Sequence, residues 1–333
     1  MAAIGGLGRR DLAALAILGL VLLAAPFLVD GYILSVLLII LYFAYVGQSW
    51  NICMGFAGQL SLGHALYVGL GAYAAAALFV HFRVPPLFGV LAAIAIGGLA
   101  AGIIGALAFR FRIGGVYFAL LTIAFAEFTR ILFAHIDWLG ATQGLFLPVE
   151  NRADSDLWTL RGAPVMFYYV FLALMAGSLL LAAVLRRSRI GYYLLAVRED
   201  EVAAQTLGVN LFWSKMFAVV LSGAMAAVGG VVLAFYYNNL FPSDLFGIHR
   251  SIEIILAPIV GGLGTVIGPL VGAVVLGVLG EGLTVLLEAT GWSPVGVKQL
   301  VYALVLILII KYLPGGIWPM LAGALGLARG PGR

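Results

Sequence analysis

Charged residues are scarce in this chain. Only 10% of its 333 residues are Asp, Glu, Lys or Arg, whereas a soluble domain has about a quarter of its residues charged. Such a chain cannot cover a globular surface with polar groups, so lipid must be its main solvent. The net charge of +4 comes from arginines at the ends of apolar segments, which excludes the clustered basic patch of a nucleic-acid-binding protein.

The chain also has few of the residues that build disulfides, metal sites and catalytic centres. Cys53 is its single cysteine, so an intrachain disulfide and a thiolate cluster are excluded, and four scattered histidines suggest no metal site. We find no G-x-x-x-x-G-K-[ST] phosphate loop, no Gly-x-Ser-x-Gly, no His-Glu-x-x-His and no carboxylate pair at aspartyl-protease spacing. We therefore expect a chain that is not an enzyme and that binds no cofactor itself.

Apolar residues and glycine are abundant instead. Hydrophobic residues make up 64% of the chain, and there are 44 glycines. Because a membrane span needs about 20 mostly apolar residues, we place spans near 12–29, 32–50, 60–80, 87–109, 115–134, 164–185, 212–236, 267–288 and 298–312. The fold class is thus an all-α integral membrane protein, a polytopic bundle of about eight to ten transmembrane segments in a single domain, 1–333.

Glycine interrupts this pattern in both halves of the chain. The apolar run 252–262 is too short to cross a bilayer, and Gly261-Gly262-Leu263-Gly264-Thr265 follows it. We interpret it as a half-helix or re-entrant segment. Gly58 begins a second interruption at 58–64. Broken helices in both halves of a transporter point to a substrate pathway near the membrane midplane.

The positions of lysine and arginine predict the orientation. If the N-terminus is cytoplasmic, twelve of the 18 basic residues lie inside and the other six outside. Both termini are then cytoplasmic, residues 135–163 form an extracytoplasmic loop and residues 189–210 a cytoplasmic segment. Arg9 and Arg10 precede an apolar run, as in a signal peptide, but the many further spans favour an uncleaved first helix.

The cytoplasmic segment 189–210 carries a short helix with its own start and stop signals. Asp200 can cap the N-terminus by accepting backbone N–H bonds, and Gly208 can end the helix in a left-handed turn. Glu201, Ala203 and Ala204 between them give a charged start and a small-residue face. Two interpretations stay open: a helix that inserts into a groove on a cytoplasmic partner, or a plain connecting helix.

Four segments of the sequence resemble one protein family. They are Gly58-Gln-Leu-Ser-Leu-Gly-His-Ala65; Leu121-Thr-Ile-Ala-Phe-Ala-Glu127; Arg189-Ile-Gly191 through Asn210, with Glu201-x-Ala-Ala and Gly208; and Ser251-Ile-Glu253 through Gly268-Pro269. In this order they resemble the branched-chain amino-acid permeases of ABC importers, in particular the longer of that family's two paired permease subunits.

The resemblance implies a set of partners and a location in the bacterial inner membrane. Such a permease works with a second homologous permease, two cytoplasmic ATPase subunits that bind ATP and Mg²⁺, and an extracytoplasmic substrate-binding protein. It also implies a coupling helix that contacts the ATPases, which here comprises Arg198, Glu199, Asp200, Glu201, Ala203, Ala204 and Gly208. The substrate would be a branched-chain amino acid, with other amino acids, small amides, urea and aromatic acids as alternatives.

Polar residues inside the apolar segments are the candidates for the translocation pathway, because a polar group in the membrane must face the bundle or water. The candidates are Gln59, Ser61, His64, Glu127, Glu253, Gly261, Gly262, Gly264 and Thr265. Gln59 and Ser61 can line the pathway or join helices by hydrogen bonds, and His64 favours a packed, hydrogen-bonded histidine over a proton carrier. Glu127 is spaced to pair with Arg130.

Two acidic residues keep alternative roles. Glu253 can cap the half-helix or face the pathway, and Glu281 can lie in the run 267–288 or at the interface with the partner permease. An ion-coupled secondary transporter would use Glu127 and Glu253, but it would leave the cytoplasmic helix without a purpose. A passive channel is the other alternative, and ATP-independent flux would indicate it.

Overall fold

The computed structural model describes residues 22–148, 158–290, 296–313 and 315–324, together with Gly19 and Asp156. Within these residues the chain is almost entirely helical. The helices are α1 Gly31–Asn51, α2 Ala65–Phe82, α3 Pro86–Arg110, α4 Val116–Ala134, α5 Pro164–Arg187, α6 Arg189–Glu199, α7 Glu201–Thr206, α8 Leu211–Tyr237, α9 Pro242–Phe246, α10 Ile248–Gly261, α11 Gly268–Thr290, α12 Val297–Tyr312 and α13 Ile317–Ala324. A π-helical turn, Ile52–Phe56, extends α1.

Seven of the described helical segments are long and apolar enough to cross a membrane, namely α1 with its π-helical turn, α2, α3, α4, α5, α8 and α11. This confirms the all-α polytopic membrane fold. Most of the predicted span 12–29 lies outside the described residues, although residues 22–28 are helical. The predicted span 60–80 begins five residues late, at Ala65, because residues 57–64 form a non-helical break.

The half-helix predicted at 252–262 is present as α10, but it begins earlier, at Ile248, and ends at Gly261. Its 14 residues extend about 21 Å, which is less than the roughly 30 Å hydrocarbon core of a bilayer. The chain then turns at Gly262, where φ is +130°, and at Gly264, where φ is +74°. Helix α11 starts at Gly268 and packs against both α10 and α1.

Close contacts between small residues hold the centre of the bundle together. Helix α8 packs chiefly against α2 and α3. A Cβ atom on Gly230 would lie 2.0 Å from the Val68 carbonyl oxygen, and one on Gly71 would lie 2.1 Å from that of Ala227. The backbones of α2 and α8 are therefore in direct contact, as expected where small residues mediate helix packing in membranes.

We expect Gly230→Ala to destabilise the protein by about 1–3 kcal/mol, the usual range for overpacking. Gly177→Ala in α5 is the matched control, since no atom lies within 4 Å of a Cβ placed there. The control should be neutral or slightly stabilising, because alanine favours helix over glycine by about 1 kcal/mol. Thermal unfolding in lipid nanodiscs measures both changes. Equal shifts for the two variants would contradict this account of the α2–α8 contact.

The bundle has two distinct ends. Strand β1, Leu145–Phe146, pairs antiparallel with β2, Asn239–Leu240, and so joins the loop after α4 to the end of α8. We call this the loop end. The opposite end carries α6 and α7 between α5 and α8, and we call it the coupling end. Of the polar loop residues, Glu150, Arg152 and Asp154 lie outside the described part of the chain.

Candidate functional site: the glycine junction and the coupling segment

The two glycine breaks meet at the last residue of α1. The Asn51 side-chain amide donates a hydrogen bond to the Thr265 carbonyl oxygen at 2.8 Å, and its Oδ1 accepts one from the Gly264 N–H at 2.8 Å. Asn51 is fully buried, so these bonds form away from water, where they are strongest. We call residues 51–65 and 261–268 together the glycine junction.

Glycine is required at Gly55 and Gly264 because of close approach. A Cβ on Gly55 would lie 2.1 Å from the Asn51 Oδ1 and 2.6 Å from the Gly264 nitrogen. Gly264 also adopts a positive φ, which side chains disfavour. Direct contact between the two chain breaks is therefore the steric reason for glycine at both positions.

We call residues 189–210, which include α6 and α7, the coupling segment. Arg198, near the end of α6, links this segment to the glycine junction. Its Nη1 donates a hydrogen bond to the Gly55 carbonyl oxygen at 2.6 Å, and its Nε and Nη2 pair with Glu199. A Cβ on Gly264 would lie 2.5 Å from the same Nη1, and one on Gly58 would lie 3.1 Å from the Arg198 Cγ. One guanidinium group thus touches both breaks.

The other two motif segments close around residues 62–65. The Thr122 hydroxyl of α4 accepts hydrogen bonds from the N–H groups of Leu62 at 3.0 Å and Gly63 at 3.2 Å. The Ser251 hydroxyl of α10 accepts one from the Ala65 N–H at 3.0 Å. All four sequence segments that carry the family resemblance therefore converge on the glycine junction.

Helix α7 has the termini predicted from its sequence. The Asp200 carboxylate accepts hydrogen bonds from the N–H groups of Val202 at 2.8 Å and Ala203 at 3.0 Å, and Gly208 has a φ of +86°. Ala204 is buried against the bundle, whereas Ala203 faces outwards. Val202 and Leu207 are 72% and 82% exposed, so α7 presents a small apolar surface at the coupling end.

Glu201 has a partner within the chain. Its Oε1 lies 2.6 Å from the Nζ of Lys215, whose side chain is only 10% exposed. The Lys215 ammonium also lies 5.6 Å from the centre of the Phe109 ring. Glu201 therefore anchors α7 to α8 and, through Lys215, to the Phe109 ring of α3. The exposed side chains beside Glu201 include the apolar Val202 and Leu207.

Gln59, Ser61 and His64 are buried in the second half of the junction segment 51–65. The Ser49 hydroxyl donates to the Val46 carbonyl oxygen and the Ser222 hydroxyl to that of Ser49. The His64 Nε2 lies 3.2 Å from both hydroxyl oxygens. Because each hydroxyl has only one proton and donates it to a carbonyl oxygen, we assign the ring proton to Nε2. His64 is thus the packed, hydrogen-bonded histidine that its position suggested. The Gln59 amide donates to the Ala57 carbonyl oxygen, and the Ser61 carbonyl accepts from the Trp50 indole.

The acidic candidates lie elsewhere in the bundle. Glu127 pairs with Arg130 on α4, as predicted, with 2.6 Å between Oε1 and Nη2. Glu253 does not cap α10, so that interpretation is wrong: the helix begins at Ile248, and Gly247 occupies the cap position. The misplaced boundary arose because the polar residues before 252 seemed to end the apolar run. Glu253 instead lies 3.0 Å from Arg250.

A cavity at the loop end contains Glu253 and Glu281 in its wall. It has a volume of about 430 Å³ and lies between α1, the end of α8, α10 and α11. Gln59, Ser61 and His64 do not line it. The structure therefore separates the candidate pathway residues into the glycine junction, the loop-end cavity and the ion pair on α4.

Two residues of the site were missed from the sequence. Asn51 makes the hydrogen bonds that join the two glycine breaks. Arg250 forms the ion pair with Glu253. Asn51 could have been found from its sequence position, because it is an amide at the end of an apolar span and directly before a glycine break. For Arg250 it was the i, i+3 spacing to Glu253.

Comparison with known proteins identifies the family. The model of the family described as branched-chain amino acid transport system, permease component, matches residues 32–310. The high-affinity branched-chain amino acid transport system permease protein LivM of Escherichia coli is 26% identical over 92% of this chain and 75% of its own length. No solved structure matches.

Two further relatives bear the names of an amino-acid permease and a sugar permease. A probable branched-chain amino acid transport permease protein, LivH, of Methanocaldococcus jannaschii is 33% identical over 52% of this chain and 51% of its own length. The ribose import permease protein RbsC of Haemophilus influenzae is 26% identical over 77% of each chain. The family match covers most of the chain and includes all four motif segments. The chain therefore belongs to the family of permease components of branched-chain amino acid transport systems, as its motifs predicted.

Proposed function

We propose that this chain is the transmembrane permease subunit of an ATP-driven importer for branched-chain or related amino acids. Its relatives LivM and LivH bear the names of branched-chain amino acid permeases. The proposed complex contains a second homologous permease, two cytoplasmic ATPases that bind ATP and Mg²⁺, and an extracytoplasmic binding protein that delivers the substrate. This chain binds no nucleotide of its own and supplies one side of the translocation pathway.

The hydrogen bond from Arg198 to the Gly55 carbonyl oxygen is the observation that carries this proposal. The coupling segment, residues 189–210, ends in a capped helix with exposed Val202 and Leu207 that suits a groove on an ATPase. Through Arg198 the same segment contacts the two helix breaks. A movement imposed on α7 by ATP binding would therefore reach the glycine junction over a few directly bonded residues.

The proposed orientation puts the coupling end in the cytoplasm and the loop end outside. Arg186, Arg187, Arg189, Arg198 and Lys215 all lie at or beside the coupling segment, in agreement with the excess of positive charge on the cytoplasmic side of membrane proteins. Both termini are then cytoplasmic, and the cell membrane, the inner membrane of a bacterium with two, is the location.

The first test is whether an ATPase pair co-purifies with this chain when both are expressed with their genomic neighbours. Glu201→Lys should weaken ATPase retention about tenfold, a cost of about 1.4 kcal/mol, because the Lys215 ammonium, whose side chain is only 10% exposed, loses its counter-ion. The unpaired Lys215 and the new lysine would repel each other and displace α7. The measurement is the ATPase-to-permease ratio after affinity purification in nanodiscs.

The charge swap Glu201→Lys with Lys215→Glu is the matched control. It restores an ion pair of opposite polarity at the same place, so it should recover most of the lost ATPase retention. If the wild-type chain purifies alone and moves amino acids without ATP, the importer assignment fails and a channel or ion-coupled carrier replaces it.

A further inference from the structure

The loop-end cavity has the dimensions of a small-molecule site. Its volume of about 430 Å³ lies within the approximately 300–1,000 Å³ typical of ligand pockets. It is bounded by α1, α10 and α11 and by Tyr236 and Tyr237 at the end of α8. These elements belong to the end opposite the coupling segment, where a substrate delivered from outside would arrive under the proposed orientation.

Aliphatic side chains form one part of the cavity wall. They are Val36, Ile39, Ile40, Leu256 and Leu276. Burying a side chain of the size of leucine or valine against such a surface contributes about 1.5–3 kcal/mol. This part of the cavity suits a branched aliphatic group better than a polar one.

Two carboxylates form the polar part, and their environments differ. Glu253 has Arg250 at 3.0 Å, so that pair is close to neutral. Glu281 accepts a hydrogen bond from the Tyr32 hydroxyl, and among the described residues it has no cationic partner. A carboxylate inside a membrane protein is costly unless a cation or water balances it. Glu281 therefore favours a ligand that brings a positive charge.

Hydroxyl groups offer the complementary contact. Tyr236 and Tyr237 both line the cavity, and neither phenol makes a hydrogen bond to another residue in the described part of the chain. A phenolic O–H can donate to a carboxylate. The cavity thus combines an anionic group, neutral hydrogen-bond donors and an aliphatic surface.

We propose that the loop-end cavity is a binding site for an aliphatic α-amino acid in its zwitterionic form. The ammonium group binds Glu281, the carboxylate accepts hydrogen bonds from Tyr236 and Tyr237, and the side chain packs against Val36 and Leu276. This inference rests on the proposed function and goes further, because it gives the permease its own selectivity for charge and shape. The binding protein would then not be the only element that selects the cargo.

Thiol labelling tests this site directly. Cys53 is the single cysteine and is buried, so Ser35→Cys, in the cavity wall, introduces the reactive thiol. The rate of maleimide labelling is measured on the permease–ATPase complex in nanodiscs, without the binding protein, at increasing leucine concentration. Ser243→Cys on α9 is exposed and lies outside the cavity lining, and it serves as the control position.

Leucine at ten times its dissociation constant should slow labelling of Ser35→Cys about tenfold and leave Ser243→Cys unchanged. Glu281→Gln should raise the leucine concentration for half-protection at least about tenfold, the effect of losing a charge-assisted hydrogen bond. Glu281→Asp keeps the carboxylate and should retain most of the protection, which distinguishes loss of the charge from misfolding of the variant.

Two leucine analogues complete the test. One is 4-methylpentanoate, which lacks the ammonium group, and the other is 3-methylbutylamine, which lacks the carboxylate. Both should protect poorly.

The outcomes separate this inference from the function on which it rests. Absence of protection by leucine up to about 50 mM, an affinity too weak to matter, overturns the cavity site, as does protection that Glu281→Gln leaves unchanged. Equal protection by leucine and 3-methylbutylamine would also overturn it, since the site would then recognise only an organic cation. ATP-driven leucine uptake is measured in parallel, with the same complex reconstituted into proteoliposomes together with the binding protein. Uptake without protection removes only the cavity site, whereas loss of uptake in the wild-type complex removes the importer assignment.

Discussion

Arg198→Ala is expected to leave the ATPases bound but to reduce ATP-driven amino-acid uptake at least about tenfold, since a hydrogen bond to a charged group contributes about 1.5–3 kcal/mol. The change removes the 2.6 Å bond to the Gly55 carbonyl oxygen. The exposed Val202 of α7 and Leu207, which directly follows this helix, are unaffected. The variant should therefore keep the ATPases bound and lose the link from α7 to the glycine junction. ATP hydrolysis by the bound ATPases should continue, but it should no longer drive uptake.

Three further variants make this prediction specific. Arg198→Lys should recover part of the uptake, because one ammonium group can reach Gly55 but cannot reproduce the planar guanidinium that also pairs with Glu199. Glu199→Ala leaves the Gly55 contact in place and should have a small effect. Arg189→Ala removes an exposed arginine from the same helix and should behave as wild type. Uptake in proteoliposomes and ATPase rate are the two readouts, and normal coupling in Arg198→Ala would show that Arg198 is not the link.

The positions of the helices could be predicted from the sequence because apolar length is a local property. The spans predicted at 87–109, 115–134 and 212–236 became Pro86–Arg110, Val116–Ala134 and Leu211–Tyr237. The capped helix α7 could also be predicted from the sequence, since Asp200 and Gly208 are themselves its start and stop signals. The span predicted at 60–80 starts five residues too early, because a glycine break replaces helix at 57–64 without a loss of apolar character.

The site was harder to predict because its bonds join residues that are distant in the sequence. The hydrogen bond between Asn51 and Gly264 spans 213 positions, and no pattern within either segment reveals it. Glu201 was recognised as part of the coupling segment, but its partner Lys215 is in the next helix, and no local pattern pairs the two residues. Family motifs indicated which segments matter, and only the packed structure shows that they meet at the glycine junction.

Two buried amides on α1 should respond to substitution with opposite signs. Asn51 and Gln48 are both fully buried, but Asn51 has both amide atoms hydrogen-bonded to the second glycine break, whereas neither amide atom of Gln48 has a hydrogen-bond partner among the described residues. We expect Asn51→Leu to destabilise the fold by about 2–5 kcal/mol, because the Gly264 N–H and the Thr265 carbonyl oxygen would be left unsatisfied away from water. Gln48→Met should instead stabilise it by about 1–3 kcal/mol, since it removes two buried polar atoms without losing a bond.

Thermal unfolding of the purified complex in nanodiscs measures both changes, and the pair forms its own control because the residues are one helical turn apart on α1. Transport adds a second comparison. If Gln48→Met gains stability and keeps uptake, the unpaired amide has no role in transport. A gain in stability with a loss of uptake would mean that Gln48 is needed for transport although it destabilises the fold. Destabilisation by Gln48→Met would mean that bound water satisfies its amide, and only an unchanged Asn51→Leu variant would contradict the bridge between the two breaks.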